Sequence, residues 1–434
     1  MAGQSPRPHE ADLGPCEKGV PGLGGNVPIA DVESLHWNLL NEDVPLPVAV
    51  LKRDAIEANS RRMQAFLRMT GAALAPHGKT TMSPDLFDLQ LADGAWGITV
   101  ATPHQLQVAR HFGYQRLLLA NQLIGKSALD YIIAEMHADP AFEFYCLVDS
   151  IASVRQLLAA AKRGRLARSI PVLVEMGYPG GRTGCRDLDR AMDVAHEVAR
   201  SGGVVALCGI EGFEGLLRGA DDDTTQRLVE RFLDDVVALA VRCEEEGLFG
   251  TDPVLMSAGG SAHYDLVIRK FSSVALSRRS LTLLRSGCYL THDSGMYARA
   301  AAIRKDRSPS LEGLEPEFAN ALEVWAYVLS VPEDGLAIVG LGKRDLSYDE
   351  MPVPLSWSRP GAAERGPQCL SAAHKLFRLN DQHGYLQVPA ESPLAVGDMV
   401  AFGISHPCLT FDKWRVIHVV DAHYNIVQSI RTYF

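Results

Sequence analysis

Apolar and polar positions follow two different periodicities along the chain, and these periodicities predict its elements. Short continuous apolar runs are typical of buried strands, and apolar positions three and four residues apart are typical of helices packed beside them. From residue 47 to residue 284 the two patterns alternate. The predicted strands are 47–51, 72–75, 96–101, 117–120, 142–148, 171–176, 204–210, 253–257 and 281–284. The predicted helices between them include 84–92, 103–111, 152–162, 188–200 and 225–246.

Local signals mark the start of two helices. Ser83 followed by Pro84 places a capping side chain and then a proline in the first turn. Asp54, with Glu57 three residues later, predicts a helix that begins with a capping box. The strand run before Asp54 is expected to belong to a different sheet from the eight strands that follow.

The eight later strands alternate with helices over about 220 residues, which predicts a (β/α)8 barrel. An open doubly wound sheet is the alternative. It is less favoured because no GxGxxG segment opens a helix after the first strand.

The pattern changes after residue 295, where short β-rich runs separated by Gly and Pro predict a mostly β domain. The expected strands are 322–328, 336–340, 385–388, 399–402, 414–420 and 425–430, with a proline-rich loop at 351–367. The predicted domains are therefore an extension plus a joining strand (1–51), a barrel (52–295) and the β domain (296–434). Residues 1–30, rich in Gly and Pro, are expected to be loose or to lie on another surface.

Composition excludes several functional classes. The 434 residues carry a formal net charge of −10, and a phosphate backbone favours a basic partner, so a nucleic-acid binder is not expected. No apolar run approaches the roughly 20 residues of a membrane helix, and no signal peptide is visible. The eight cysteines lack paired CxxC spacing and predict no disulfide framework, which fits a cytoplasmic protein.

One lysine is placed where barrel enzymes do chemistry. Lys79 follows the first barrel strand and therefore lies near the carboxyl ends of the strands. A lysine in a partly dry pocket loses its proton readily and can form a Schiff base. Position alone also allows a plain surface lysine in a loop between strand and helix.

Two glycine-containing segments follow later strands. Gly259-Gly260, followed by Ser261, comes after the seventh strand, where backbone N–H groups of a barrel can hold a phosphate. Arg182, flanked by glycines after the fifth strand, can reach a ligand oxygen with two donors. A simple turn and a solvated loop arginine are the alternatives.

A pair of candidate metal ligands lies in the β domain. In an extended chain, His406 and Cys408 face the same way, and Pro407 disfavours a helix at His406. Two ligands are fewer than a closed structural zinc site contains, so they leave positions for water or substrate. A chance His-x-Cys is the alternative.

Taken together and in order, these motifs resemble a known family. They resemble the fold-type III pyridoxal-phosphate (PLP) enzymes of the D-serine dehydratase and D-threonine aldolase group, which includes proteobacterial amino-acid deaminase-like proteins. The resemblance spans roughly residues 45–425. It rests on Pro76-His77-Gly78-Lys79-Thr80, 94–102, Arg182, Gly259-Gly260, 285–289 and Ser405-His406-Pro407-Cys408.

The resemblance implies an alanine racemase-like barrel followed by a β domain, in a homodimer. It implies that Lys79 forms the Schiff base with PLP and that Arg182 approaches the cofactor's phenolic oxygen. Gly259, Gly260 and Ser261 would hold the phosphate. His406 and Cys408 would bind a divalent metal, zinc being expected and manganese or magnesium the alternatives. The sequence departs from many relatives at Ala75, where they have arginine, and in 209–215, where several have a tyrosine near the cofactor ring.

The implied reaction is the elimination of water from a D-β-hydroxy amino acid, such as D-serine or D-threo-3-hydroxyaspartate, to a keto acid and ammonia. Lys79 would take the α-proton and the metal would make the hydroxyl a better leaving group. The first alternative is an aldolase that releases glycine and an aldehyde, and Cys408 favours zinc and dehydration over it. A racemase is disfavoured because it needs no metal. A non-catalytic PLP-binding protein is a further alternative.

Overall fold

The computed structural model describes residues 12–22, 25–361 and 366–434. An N-terminal segment packs on the C-terminal sheet before the barrel begins. Its elements are β1 (Asp12–Leu13), β2 (Val27–Pro28), two 3-10 helices (Ile29–Leu35 and Leu39–Asn41) and β3 (Val48–Lys52). Leu13 and Val20 are buried in one cluster with Trp325. The described part of residues 1–30 is therefore packed against the β domain and is not loose, while residues 1–11 and 23–24 lie outside the description.

Eight parallel strands form the sheet of the barrel in the order β4-β11-β10-β9-β8-β7-β6-β5, so strands consecutive in sequence lie side by side and the last strand pairs with the first. The strands are β4 (Ala73–Leu74), β5 (Ile98–Val100), β6 (Arg116–Gln122), β7 (Glu143–Val148), β8 (Ile170–Met176), β9 (Val205–Gly212), β10 (Val254–Ala258) and β11 (Ser280–Leu284). The two ends of the sheet meet. Trp96 N–H donates to the Leu74 carbonyl (2.7 Å), and Thr99 N–H donates to the Pro76 carbonyl (3.0 Å).

Helices cover the outside of the sheet, and side chains from the strands fill the inside of the barrel. The helices are α1 (Arg53–Thr70), α2 (Pro84–Ala92), α3 (Pro103–His111), α4 (Lys126–Ala138), α5 (Ile151–Arg163), α6 (Leu188–Arg200), α7 (Asp222–Glu245), α8 (Tyr264–Phe271), α9 (Met296–Arg307) and α10 (Pro309–Glu312). Seven neighbouring positions around the barrel each contribute one side chain to this interior layer: Ala75, Leu118, Leu147, Leu173, Cys208, Leu255 and Leu283. The interior of the barrel is thus a packed core.

The C-terminal sheet is mostly antiparallel. Its further elements are β12 (Leu322–Glu333), β13 (Leu336–Val339), β14 (Val353–Ser358), β15 (Gln368–Cys369), β16 (Lys375–Leu379), β17 (Gly384–Gln387), β18 (Met399–Gly403), α11 (Cys408–Phe411), β19 (Val416–Val420) and β20 (Ile426–Arg431). Strand β3 joins this sheet, antiparallel to β12 and parallel to β19. The predicted (β/α)8 barrel followed by a mostly β domain is confirmed.

Three local predictions are wrong. The first helix begins at Arg53 after Lys52, without a side-chain cap, and Asp54 lies inside its first turn. An acidic side chain there stabilises the helix through the N-terminal dipole without capping it. The proline-rich loop at 351–367 contains β14, because Trp357 and its neighbours pair with the buried strand β18. Residues 296–312, expected to be β-rich, form two helices.

No helix among the described residues combines the length and apolar character needed to cross a membrane.

Candidate functional site

A cavity of about 440 Å³ lies at the carboxyl ends of the barrel strands. Its walls come from loops after most of the barrel strands and from the segment that follows β18 in the β domain. Six of the seven predicted site residues line it: Lys79, Arg182, Gly260, Ser261, His406 and Cys408. The seventh, Gly259, packs directly behind it. The fold therefore gathers residues that are up to 329 positions apart in sequence, from Lys79 to Cys408.

Lys79 lies in a one-turn 3-10 helix, Gly78–Thr80, directly after β4. Gly78 makes this turn possible, because a Cβ there would meet the Phe87 ring at 2.7 Å and Ile98 at 2.9 Å. No hydrogen bond or ion pair within the described ranges involves the Lys79 ammonium, which faces the cavity. A lysine amine without a partner in a partly enclosed cavity is suited to covalent chemistry with a carbonyl.

His77 stands beside Lys79 on the cavity wall. Its Nδ1 atom is buried and has no hydrogen-bond partner. Burial, reinforced by the positive charges of Lys79, Arg285 and Arg182, holds the pKa of His77 well below its usual value. The imidazole is therefore neutral at ordinary pH.

The glycine pair after β10 already has an anionic partner within the chain. Gly259 N–H donates to Glu214 Oε2 (3.2 Å), and Gly260 N–H donates to Glu214 Oε1 (3.0 Å). Glu214 is fully buried, and burial raises its pKa. Gly259 has a left-handed φ of +89°, and a Cβ there would meet Leu284 at 2.6 Å. In this structure both amides are therefore occupied by a side-chain carboxylate. Their role toward a phosphate stays a prediction.

A buried ion pair fixes one positive charge on the cavity wall. Arg285, in the loop after β11, pairs with Glu211 and donates to Ser257 Oγ (2.7 Å) and to the Gly212 carbonyl (3.2 Å). Burial raises the pKa of Glu211 to about 8, against the opposing effect of Arg285. Arg285 is only 5% exposed, so three partners hold its guanidinium rigidly beside the cavity.

Arg182 is exposed at the rim of the cavity. Its guanidinium stacks on the Phe213 ring at 4.5 Å, and a second arginine, Arg218, lines the same wall. Phe213 lies in the segment where several relatives have a tyrosine, so here the aromatic ring supports an arginine and contributes no hydroxyl. The rim is suited to carboxylate or phenolate oxygens.

The predicted metal ligands meet the barrel at the same cavity. Cys408 is the first residue of α11 and Pro407 is its helical N-cap, so the prediction that the pair lies in an extended chain is wrong. The side chains nevertheless share the cavity. The His406 ring contacts the Cys408 sulfur on one side and Asp349 on the other, with Nδ1 lying 2.5 Å from Asp349 Oδ2.

The pKa values of His406 and Cys408 are shifted in opposite directions, which favours a positive imidazole beside a negative sulfur. The hydrogen bond with Cys408 is the largest effect on His406 and, with Asp349, raises its pKa to about 9. The Cys288 thiol contributes most to holding the pKa of Cys408 well below its usual range. As they stand, no three His, Cys, Asp or Glu side chains in the described part of the chain are placed to hold one metal ion.

Sequence reasoning gave no role to four residues on the cavity wall and to two that bond to wall residues. The four are His77, Glu211, Arg285 and Cys288, and the two are Glu214 and Asp349. Most follow directly after a barrel strand, which is the signal that could have identified them. Asp349 could not be found this way, because it lies in a connection of the β domain and reaches the site only through His406.

Comparisons with known proteins agree with this architecture. Residues 321–420 match the family model described as putative serine dehydratase domain. The 3-hydroxy-D-aspartate aldolase of Paracoccus denitrificans (strain Pd 1222) is 23% identical over 381 residues, covering 86% of this chain and 88% of the aldolase. The D-threo-3-hydroxyaspartate dehydratase of Delftia sp. (strain HT23) is 26% identical over 305 residues, covering 70% and 73%. The crystal structure of D-threonine aldolase from Filomicrobium marinum superimposes with a TM-score of 0.74 at 24% identity, covering 92% and 96%.

This chain is similar to D-3-hydroxyaspartate aldolases and dehydratases and to a D-threonine aldolase. The resemblance predicted from its motifs is confirmed. The similarity runs through both the barrel and the β domain, so the two walls of the cavity come from regions that the relatives share.

Proposed function

We propose that this protein is a PLP- and divalent-metal-dependent lyase that eliminates water from D-β-hydroxy amino acids, giving a keto acid and ammonia. The observation that carries the proposal is the common cavity of Lys79 and the His406–Cys408 pair, which come from different domains. In a D-serine or D-threo-3-hydroxyaspartate type of substrate, the α-carbon is bonded directly to the β-carbon that carries the hydroxyl. Such a substrate needs an amine-reactive group and a hydroxyl-activating group side by side.

The residues present fit PLP. Lys79 offers an amine without a partner in the described residues, and the cavity is large enough for a cofactor and a small substrate. Arg182 would approach the phenolic oxygen, and Ser261 with Gly259 and Gly260 would hold the phosphate. When bound, PLP supplies an electron sink for negative charge at the substrate's α-carbon.

Lys79 would do the proton chemistry in this proposal. Its Nζ, which faces the cavity, would take the α-proton and hold it. His77 stays neutral and contributes no second positive charge beside Lys79. With Arg182 at the phenolic oxygen, Arg218 on the same wall would bind a carboxylate of the substrate at the cavity rim.

The residues present also fit a metal. His406 and Cys408 provide an imidazole and a sulfur beside the cavity, and a thiolate suits zinc better than magnesium or manganese. A structure of a variant of the D-threo-3-hydroxyaspartate dehydratase is described as a metal-free form, which supports a metal in that relative. In this chain the ion would withdraw charge from the β-hydroxyl and help it to leave.

An aldolase is the second candidate, since both the Paracoccus relative and the Filomicrobium structure are named aldolases. The same Lys79 and metal pair would serve it, with the β-hydroxyl deprotonated instead of expelled. A non-catalytic PLP-binding protein is the third candidate, and the His406–Cys408 pair beside the cavity weighs against it.

Product analysis tests the proposal. Purified protein with PLP and zinc should release ammonia and a keto acid from D-threo-3-hydroxyaspartate and from D-threonine, while the L isomers stay inert. D-Threonine is the sharper probe because it can undergo either reaction. Glycine and acetaldehyde as dominant products would establish the aldolase, and no turnover of any D-β-hydroxy amino acid by PLP-loaded protein would support the binding protein.

The assembly and location are proposals of the same kind. A homodimer is proposed from the resemblance, and sedimentation velocity of the full chain would reveal a monomer if this is wrong. A cytoplasmic location is proposed from the cysteine usage, and all eight cysteines are free thiols in the structure.

A further inference from the structure

A second thiol faces the predicted metal ligands from the barrel side. Cys288 lies in the loop after β11, and its Sγ is 3.8 Å from Cys408 Sγ. The Thr80 hydroxyl is 3.8 Å from Cys288 Sγ and 3.5 Å from Cys408 Sγ. Cys288, Cys408 and His406 all line the same cavity.

The sulfur–sulfur distance has a geometric meaning. Two thiolates bound to one tetrahedral zinc at about 2.3 Å each have their sulfurs roughly 3.8 Å apart. A disulfide would need about 2.05 Å. Simple van der Waals contact gives a separation close to the observed one, so the distance alone does not assign a ligand. The second observation is the arrangement, in which two sulfurs and an imidazole from opposite domains open onto one cavity.

We propose that Cys288 is a third protein ligand of the metal that His406 and Cys408 bind. This inference rests on the proposed metal site and assigns it a further ligand. A set of two cysteines and one histidine is a known catalytic zinc arrangement, which keeps its fourth position open for water or substrate. Two soft sulfur donors make the site selective for zinc or cobalt and unfavourable for magnesium and manganese.

Binding requires a small rearrangement, because the three groups are not all at coordination distance from one point as they stand. The His406 ring is held by Asp349 through Nδ1, so its other nitrogen is the one available to a metal. Rotation of the Cys288 and Cys408 side chains about their Cα–Cβ bonds moves only the two sulfurs. Neither cysteine is tied to another partner by an ion pair in the described residues.

Cobalt substitution measures the number of thiolate ligands directly. The reduced protein is loaded with one Co²⁺ per chain, and the sulfur-to-cobalt charge-transfer absorbance in the near ultraviolet is recorded. We expect the Cys288→Ala and Cys288→Thr variants to lose about half of that absorbance per bound cobalt. The control is Cys146→Ala, which removes a buried barrel cysteine that does not line the cavity and should leave the band unchanged.

Zinc affinity gives a second readout that does not use turnover. Competition with a chromophoric chelator should show that Cys288→Ala weakens zinc by more than the roughly 10- to 100-fold typical of losing an outer partner of a metal ligand. Cys146→Ala should match the unchanged protein. An unchanged charge-transfer band and unchanged zinc affinity in both Cys288 variants would overturn the proposal.

X-ray absorption of the unchanged protein with zinc protects the test against a variant that fails to fold. Two sulfur scatterers at about 2.3 Å support Cys288 as a ligand, and one sulfur overturns it. A Cys288–Cys408 disulfide that persists in the presence of reductant would also overturn it. A different result would overturn the metal site itself: the His406→Ala variant and the unchanged protein would then bind cobalt and zinc equally.

Discussion

The Asp349 carboxylate lies 2.5 Å from Nδ1 of His406, at the edge of the cavity and on the side of the ring away from Cys408. A histidine that binds a metal through one nitrogen commonly donates its other N–H to a carboxylate, which fixes the tautomer and the ring plane. Asp349 is half-exposed and makes no other side-chain hydrogen bond in the described structure. We assign it as the residue that positions His406.

Removing this carboxylate should therefore weaken metal binding without removing a ligand. Asp349→Asn is expected to lower zinc affinity by roughly 10- to 100-fold, measured by chelator competition. Glu350→Gln is the matched control, because it removes the same charge next in sequence from a side chain that pairs with Arg299. Equal losses in the two variants would mean that only the local negative charge matters.

Lys79 is expected to be the lysine that carries PLP. Borohydride reduction of the PLP-loaded protein followed by peptide mapping should place the pyridoxyl group on Lys79. The Lys79→Ala variant should lose the absorbance band of lysine-bound PLP, while Lys126→Ala, an exposed lysine at the start of α4, should keep it. A label that maps to any other lysine contradicts the assignment.

The conformation of Gly259 should control the cofactor phosphate loop. An alanine there is strained at φ +89° and collides with Leu284, so Gly259→Ala should weaken PLP binding at least tenfold, measured by fluorescence titration. Gly71 is the matched control, since it has φ +70° with nothing within 4 Å of an added Cβ. Gly71→Ala should lower stability by about 1 kcal/mol and leave PLP affinity unchanged. Equal PLP affinity in both variants would place the phosphate elsewhere.

The barrel could be predicted because its signals are local. Each strand from β4 to β11 is a short apolar run, and the predicted edges lie within about three residues of the observed ones. The strand β14 was missed because its prolines and polar residues do not look like a strand. It is one because Trp357 and Pro354 pair with β18, a partner more than 40 residues later in the chain.

The site could be predicted only where sequence order carries information. Lys79 follows a barrel strand, and this position together with the family resemblance predicted that it lies at the cavity. The hydrogen bonds from Gly259 and Gly260 to Glu214 could not be predicted, because they join loops after β9 and β10 whose shapes depend on packing. The approach of Cys288 to Cys408 depends on how two domains dock, which no local pattern encodes.

A buried histidine in the β domain should contribute to the pH dependence of stability. His418 lies in β19, 1% exposed, with Nε2 2.9 Å from the Gly19 carbonyl and Nδ1 2.7 Å from Ser429 Oγ. The neutral ring satisfies both contacts, donating to the carbonyl and accepting from the hydroxyl. Burial lowers the pKa of His418 from 6.5 to about 4, against the opposing effect of the Gly19 hydrogen bond.

Because the folded pKa lies below the unfolded one, the unfolded chain binds more protons between pH 6.5 and pH 4. The stability that His418 contributes is therefore present above pH 6.5 and is lost as pH falls through that window, by about 3 kcal/mol in total. His418→Gln should lower stability at neutral pH but flatten its decline toward pH 4, measured by urea unfolding at several pH values. His423→Gln, which replaces an exposed histidine in the turn after β19, should keep the decline of the unchanged protein. If the stability of His418→Gln declines toward pH 4 as steeply as that of the unchanged protein, another buried group is responsible for the acid sensitivity.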